Sequence, residues 1–230
     1  MSLTNKILSG MFVLVIITTA MHFALRHFTN PAVLGDHSIS TEPVDVFISK
    51  TSLQIPKNII RRGKQRVSGR QQYIDLYFQW PSLKGYSQED AAVYESTSQL
   101  ESLIFVSLIE TEAPNPPEQR LEGIYRRFFI GKAWRGPNGL IGQTLDPASG
   151  YKSEDVFYAR NNSELFVTRC LQEKEIGKNS GKNNVLPTCL YDFQLEENIT
   201  VNIRFHRNLL PVWRQIDSSI KRQLISMRVQ

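Results

Sequence analysis

Six basic residues crowd one short stretch of the sequence, and no acidic residue separates them: Lys57, Arg61, Arg62, Lys64, Arg66 and Arg70. Ammonium and guanidinium groups placed so closely can together hold an anion. The anions that fit are lipid head groups of a nearby membrane, an acidic envelope polymer or an acidic protein surface. We therefore predict that this loop binds an anion or a partner. The alternative is a solvated loop, or an edge strand that its charges protect from pairing.

Basic and aromatic residues recur further along the chain and would extend this surface. The group comprises Tyr125, Arg126, Arg127, Phe128, Lys132, Trp134 and Arg135. Nucleic acid also binds surfaces of this kind, but an exported domain rarely meets it, so we expect no nucleic-acid partner. The net charge of +5 over 230 residues is too small to require one.

Histidine is scarce in the part of the chain that should fold, where only His206 occurs. A metal site built from several histidines is therefore excluded within one chain. A Ser-His-Asp triad would have to use His206, which the alternation of its strand places on the solvent side beside Arg204 and Arg207. The nucleotide-binding, zinc-protease and nucleophile-elbow motifs are missing from the sequence. We predict no cofactor and no metal.

Neighbouring carboxylates are the remaining candidates for catalysis: Glu110 with Glu112, and Glu154 with Asp155. Two carboxyl groups of this kind act as acid and base in glycosidases. Spacing in the sequence does not show that either pair faces a cleft. A cell-envelope hydrolase that uses a carboxylate pair is therefore the alternative function, and whether the protein is an enzyme stays open.

The N-terminal segment predicts a membrane anchor, because residues 7–25 carry no charged side chain. A helix of that length rises about 1.5 Å per residue and spans the ~30 Å of a bilayer core. The alternative is a cleaved signal peptide, with Lys6 before the apolar run and Thr18-Thr19-Ala20 as the cleavage site. Cleavage would leave a secreted anion-binding protein.

Two cysteines indicate the compartment, since Cys170 and Cys189 flank a polar stretch between two strand-like runs. Side by side in a hairpin, they should pair in an oxidising space and stabilise the fold by about 3 kcal/mol. The alternative is two free thiols facing the cytosol. We expect a single-pass protein of the inner membrane, with the N-terminus cytoplasmic and the C-terminal domain periplasmic.

Composition and periodicity divide the chain into an anchor (1–28), a polar linker (29–43) and one β-rich domain (44–230). Alternating or continuous apolar runs predict strands at 44–48, 53–55, 73–80, 103–110, 123–134, 140–145, 154–160, 164–171, 189–195 and 199–205.

The C-terminal end changes period, because its apolar residues recur every three or four positions. They are Leu209, Trp213, Ile216, Ile220, Leu224 and Met227. This spacing predicts an amphipathic helix that packs across a sheet, with Asn208 as its cap. A helix that binds a partner or a membrane surface is the alternative. The fold class is therefore mainly β: a β-sandwich or partly open β-barrel with a C-terminal amphipathic helix.

Four phrases carry a family resemblance: LQIPKNIIR, IDLYFQWPSLKGYS, LDPASGYKSEDVFY and LLPVWRQID. Together with the N-terminal segment they resemble uncharacterised single-pass, transmembrane-anchored periplasmic proteins of rhizobia-type alphaproteobacteria. The likeness runs from Val44 to the C-terminus and implies an inner-membrane anchor with a periplasmic body. It implies no role for any residue.

The function that these observations favour is a membrane-tethered, non-enzymatic binding or scaffold module in the periplasm. Its partners would be the lipid bilayer through residues 7–25 and an anionic lipid, envelope polymer or acidic protein surface through the loop at 57–70. The specific ligand, the oligomeric state and the strand order do not follow from the sequence.

Overall fold

A computed structural model of the chain describes residues 11–12, 14–15, 17–19, 21, 36–95, 100–151, 153–161, 164–172 and 188–229. The chain divides into two units, residues 1–33 and residues 34–230. In the first unit the described residues are helical. Within the ranges given above, no helix is both long and apolar enough to cross a membrane. Most of the predicted anchor at 7–25 lies outside the described residues, so the anchor stays a prediction.

The second unit is mainly β and carries a C-terminal helix, as predicted. Its strands are β1 (Pro43–Ile48), β2 (Thr51–Pro56), β3 (Gly69–Arg70), β4 (Tyr73–Gln79), β5 (Leu103–Glu110), β6 (Phe129–Arg135), β7 (Ile141–Leu145), β8 (Glu154–Asn161), β9 (Glu164–Leu171), β10 (Cys189–Glu196) and β11 (Ile199–Phe205). Its α-helices are α1 (Ala91–Glu95), α2 (Pro117–Gly123) and α3 (Trp213–Ser226). Short 3₁₀ helices cover Lys57–Ile59, Gly63–Gln65, Leu100–Ser102, Tyr125–Phe128, Pro137–Gly139, Pro147–Ser149 and Arg207–Val212.

One large sheet dominates the unit. Its eight strands follow the order β4-β5-β11-β10-β9-β8-β7-β6, and every neighbouring pair is antiparallel. A smaller sheet has the order β2-β1-β3, in which β1 and β2 are antiparallel and β1 and β3 parallel. The sequence predicted a β-sandwich or a partly open barrel. The structure has a large sheet with β4 and β6 at its two ends, and the small sheet shares its core.

The core forms where the apolar stripe of α3 meets the sheets. Trp213, Ile216, Ile220 and Leu224 are buried, as the helical spacing predicted. They join one hydrophobic cluster with apolar residues of β1, β2, β4, β5, β10 and β11. Each such side chain contributes about 1.5–3 kcal/mol when it leaves water completely. Burial therefore fixes α3 against the sheets.

The pattern of β4 differs from its prediction. Alternation puts Asp75 and Tyr77 on the face opposite the apolar residues of this strand, and the structure buries residues of both faces. The cause is chain outside the sheet: Tyr77 packs with Tyr86 and Tyr94, and Asp75 pairs with Arg62 of the loop after β2.

The chain after β11 also differs from its prediction. His206 was assigned to the solvent side of a strand, but it is only 4% exposed. The reason is that β11 ends at Phe205, so alternation no longer applies at His206. A 3₁₀ turn then precedes α3, and the predicted cap Asn208 lies inside it. Its amide donates to the His206 side chain instead.

Candidate binding cleft between strands β9 and β10

Most cations of the predicted anion-binding loop form ion pairs with carboxylates of the same chain. Four of its six basic residues form ion pairs: Lys57 with Glu42, Arg62 with Asp75, Arg66 with Asp36 and Arg70 with Glu110. The Arg61 guanidinium lies 5.0 Å from the centre of the Phe105 ring, and Lys64 is exposed to solvent. Binding of an anion by this loop stays a prediction.

Arg66 has a structural role within this loop. Its side chain is 11% exposed, and its Nε and Nη2 atoms donate to the Ile60 carbonyl at 3.2 and 3.0 Å. A guanidinium that is buried and bonded in this way fixes the turn of the loop. It is the least accessible of the loop's ion-paired cations for an external anion.

The structure does not assemble the carboxylate pairs that the sequence suggested. Glu110 pairs with Arg70, Glu154 with Arg169 and Asp155 with Arg207. Glu112 is exposed in the turn after β5. None of these four carboxylates lines either of the cavities, of about 360 and 620 Å³, that the described residues form.

The two cysteines form a disulfide, as predicted. Cys170 in β9 lies directly opposite Cys189 in β10. Two further pairs, Arg169 with Leu190 and Thr168 with Tyr191, complete the contact between these strands.

Beyond these three positions β9 and β10 separate. β9 continues to pair with β8 along its whole length, and β10 continues to pair with β11. A bulge between Gln194 and Glu196 bends β10 at the same place. The facing edges of residues 164–167 and 192–196 consequently have no strand partner, and a cleft of about 360 Å³ opens there.

Acidic side chains predominate around this cleft. Four carboxylates line it, against two cations: Glu118, Glu164, Asp192 and Asp217, with Lys221 and Arg228. Phe166 and Phe193 add apolar surface. Three of these carboxylates are in ion pairs with Lys221 or Arg120, so the cleft offers a guest an apolar surface with a small excess of acidic groups.

Lys221 connects helix α3 to strand β9 at one wall of the cleft. Its ammonium group donates to Glu164 and lies 3.0 Å from Asp217, and it also lies 4.9 Å from the centre of the Phe193 ring. Burial lowers the pKa of Lys221, but the hydrogen bonds to the two carboxylates outweigh burial and raise the pKa overall. Lys221 consequently stays charged and holds the wall in place.

Tyr191 and Gln194 present polar atoms that the described part of the chain does not satisfy. The Tyr191 hydroxyl and the Gln194 Oε1 atom are buried and have no hydrogen-bond partner there. Burial raises the pKa of Tyr191 well above its usual value, and Asp217 adds to this effect, so the hydroxyl remains a donor. An unsatisfied buried polar group costs about 1–3 kcal/mol, which a bound guest would recover.

Asp192 is a half-buried carboxylate of the cleft. Burial raises the pKa of Asp192, whereas its ion pair with Arg120 acts in the opposite direction. A carboxyl group with a raised pKa in a cleft is one feature of a general acid. The ion pair to Arg120 is typical of a structural carboxylate instead.

None of these cleft residues stood out in the sequence as a site. One signal was present: Asp217 lies between Ile216 and Ile220 on the apolar stripe of the C-terminal helix. A polar residue on a core-facing stripe needs a partner, which here is Lys221 one turn later.

No protein-family model matches the chain, and no curated protein matches its sequence. Among solved structures it is similar to an immunity protein of the Stenotrophomonas maltophilia type IV secretion system. The two chains are 15% identical, and the match covers 84% of this chain and 96% of that one, with a TM-score of 0.57. The iron-regulated outer membrane lipoprotein FrpD of Neisseria meningitidis is 11% identical over 84% of this chain and 97% of that one, with a TM-score of 0.45. The first similarity shows that this chain, which is mainly β, shares the fold of that immunity protein.

Proposed function

We propose that this chain is a membrane-tethered, non-enzymatic binding module of the periplasm, which accepts an extended segment of a partner protein between β9 and β10. The observation that carries the proposal is the separation of these strands after Tyr191, which leaves two unpaired strand edges facing a cleft. An extended peptide adds to such an edge through its main-chain hydrogen bonds, and pockets for its side chains give specificity.

The partner segment carries Lys or Arg. Glu164 and Asp217 share Lys221 and Asp192 pairs with Arg120, so Glu118 is the cleft carboxylate whose charge is left for a cation of the guest. The Tyr191 hydroxyl and the Gln194 carbonyl supply a donor and an acceptor for the guest. This prediction differs from the acidic partner expected for the loop at 57–70, and the two sites lie on different parts of the chain.

The proposed location, anchored in the inner membrane with the domain in the periplasm, rests on two features. The uncharged run at 7–25 is long enough for a bilayer anchor. The Cys170–Cys189 disulfide is typical of an oxidising compartment such as the periplasm. The arrangement is the one implied by the resemblance to anchored rhizobial proteins.

A particular form of this function is immunity, in which the protein binds and neutralises a secreted toxin. The shared fold with an immunity protein of a type IV secretion system supports it. In that form, the toxin supplies the extended basic segment, and the anchor holds the binding domain on the side of the membrane where the toxin arrives.

A second candidate function is an envelope hydrolase, which the raised pKa of Asp192 favours. Its test is hydrolysis of purified cell-wall polymer by the full-length protein and by Asp192→Asn. A turnover that disappears in Asp192→Asn establishes the hydrolase, and no turnover by the unmodified protein removes it.

Crosslinking in living cells tests the binding proposal. A photoreactive amino acid replaces Ile225, which lines the cleft and is 55% exposed. The matched control replaces Ile141, which is 43% exposed in β7 and lines neither cavity. We expect a discrete adduct from position 225 only, joined to a partner peptide that contains Lys or Arg, and weakened by Glu164→Gln. Equal adducts from both positions, or none from position 225, contradict the proposal.

A further inference from the structure

A second cavity, of about 620 Å³, lies between the end of β6, strand β8 and the turn after β11. Its volume falls in the range of about 300–1,000 Å³ that small-molecule sites occupy. Trp134 and Arg135, from the basic and aromatic group that the sequence indicated, line it together with His206 and Arg207.

His206 supplies an unsatisfied donor to this cavity. Its Nδ1 atom accepts from the Asn208 amide at 3.2 Å, so the proton of the neutral ring is on Nε2. Nε2 is buried and has no hydrogen-bond partner among the described residues. Burial lowers the pKa of His206 against the opposing charge of Glu101, which keeps the ring neutral at pH 7. A residue of the cavity lining therefore carries a fixed N–H donor.

Two arginines line the cavity beside that donor, while Glu101, whose charge acts on His206, lies outside the lining. Arg135 and Arg207 line the cavity, and no carboxylate appears among its described lining residues. Arg207 is held in place by the Leu171 carbonyl, by Asp155 at 3.5 Å and by the Phe157 ring at 4.9 Å. A guanidinium that is already positioned loses little freedom when an anion binds.

The remaining wall is aromatic. The Trp134 indole lies against Gly142, where an added Cβ atom would come within 2.4 Å of the ring. Only glycine at this position lets the indole lie there. Phe157 stands perpendicular to Trp134, with the ring centres 6.1 Å apart. Two such rings suit a flat apolar ligand.

We propose that this cavity binds a small organic carboxylate with a planar apolar body. The carboxylate accepts hydrogen bonds from His206 Nε2 and from the Arg135 guanidinium, next to the fixed guanidinium of Arg207. The planar body lies against Trp134. The site is separate from the cleft between β9 and β10 and does not depend on the function proposed for it.

The test uses the full-length protein and two probes that differ in charge. 2-Naphthoate carries the carboxylate, and 2-naphthylmethanol has the same ring with a neutral hydroxyl. We expect saturable binding of 2-naphthoate by ligand-observed NMR, about tenfold or more tighter than the alcohol, as charge-assisted hydrogen bonds require. Equal affinities, or no saturable binding of 2-naphthoate, overturn the proposal.

Two variants locate the site, and a third is their control. His206→Asn keeps an acceptor for the Asn208 amide but removes the Nε2 donor, and Arg135→Gln removes an exposed charge with little risk to folding. Each should weaken 2-naphthoate binding by about tenfold and leave the alcohol unchanged. Lys132→Gln is the control, because Lys132 is exposed on the same strand and does not line the cavity. If Lys132→Gln weakens binding as much as Arg135→Gln, net charge alone explains the attraction and the assigned site is wrong.

Discussion

Cys170 and Cys189 lie directly opposite each other on β9 and β10, and their disulfide closes the paired end of two strands that separate only two residues further on. The bond therefore fixes the point from which the cleft opens. It also joins the half of the sheet that contains β6 to β9 to the half that contains β4, β5, β10 and β11.

Removal of this disulfide should destabilise the domain. The cysteines are 19 residues apart, and closing a loop of that size contributes about 3 kcal/mol to the free energy of unfolding. We expect Cys170→Ala with Cys189→Ala to lower the stability by about that amount in urea denaturation. Reductant should destabilise the unmodified protein similarly and leave the double variant unchanged. An identical midpoint for both proteins would show that the bond does not form.

Adjacent residues of α3 should differ sharply in their importance for stability. Leu224 is 1% exposed in the core, whereas Ile225 is 55% exposed. Leu224→Ala leaves a cavity and should cost about 2–5 kcal/mol. Ile225→Ala should change the free energy of unfolding by less than about 0.5 kcal/mol. Comparable costs for the two substitutions would place the helix on the sheet in a different rotation.

Arg66 and Lys64 should separate the structural and the binding roles of the loop at 57–70. Arg66→Gln removes hydrogen bonds to the buried Ile60 carbonyl and should cost about 1–3 kcal/mol in chemical denaturation. Lys64→Gln should leave stability unchanged, because its side chain is exposed. Any binding to anionic liposomes should be weakened by Lys64→Gln combined with Arg70→Gln. If substitution of these exposed cations changes neither liposome binding nor stability, the loop is a solvated surface.

The pH dependence of stability should report on His37. Its ring stacks on Tyr86 at 4.6 Å, and its Nδ1 lies 3.1 Å from the Tyr77 hydroxyl. Burial lowers the pKa of His37; the charges of Arg66 and Arg61 add to this, while those of Glu95 and Asp36 oppose it.

A lowered pKa means that the folded state holds His37 neutral while the unfolded chain still binds a proton. Its contribution is complete above the unfolded pKa of 6.5 and is lost as the pH falls through the folded value. Unfolding in urea at about pH 7.5 and about pH 5.5 should show this loss. His37→Phe keeps an aromatic ring against Tyr86 and should reduce the loss. Equal losses in both proteins would assign the dependence to other groups, including His206.

Much of the fold followed from periodicity. The continuous apolar run at 103–110 became β5, and the helical stripe from Trp213 to Leu224 became the buried face of α3. These predictions succeeded because burial of apolar side chains determines both the element and the face that it presents. The burial of Asp75 and His206 was missed because chain outside a regular strand determines it. The strand predicted at 123–134 begins only at Phe129, since Tyr125–Phe128 forms a 3₁₀ helix.

The cleft did not follow from the sequence, because it depends on how far two strands stay paired. Nothing in the run at 164–171 or at 189–195 indicates that pairing stops after Tyr191. The bulge near Gln194 belongs to the pairing of β10 with β11 and has no glycine to mark it. Strand order and pairing length are tertiary properties, so local patterns left the site unassigned.

Amide hydrogen exchange, resolved by residue in the full-length protein, tests the open edge most directly. Strand β11 is paired on both sides from Ile199 to Arg204, so its amides should all exchange slowly. In residues 192–195, alternate amides point toward β11 or into the cleft. We predict that those facing the cleft exchange fast in the free protein. Slow exchange along the whole of residues 192–195 would show that the edge is already covered, and the cleft could not accept a partner strand.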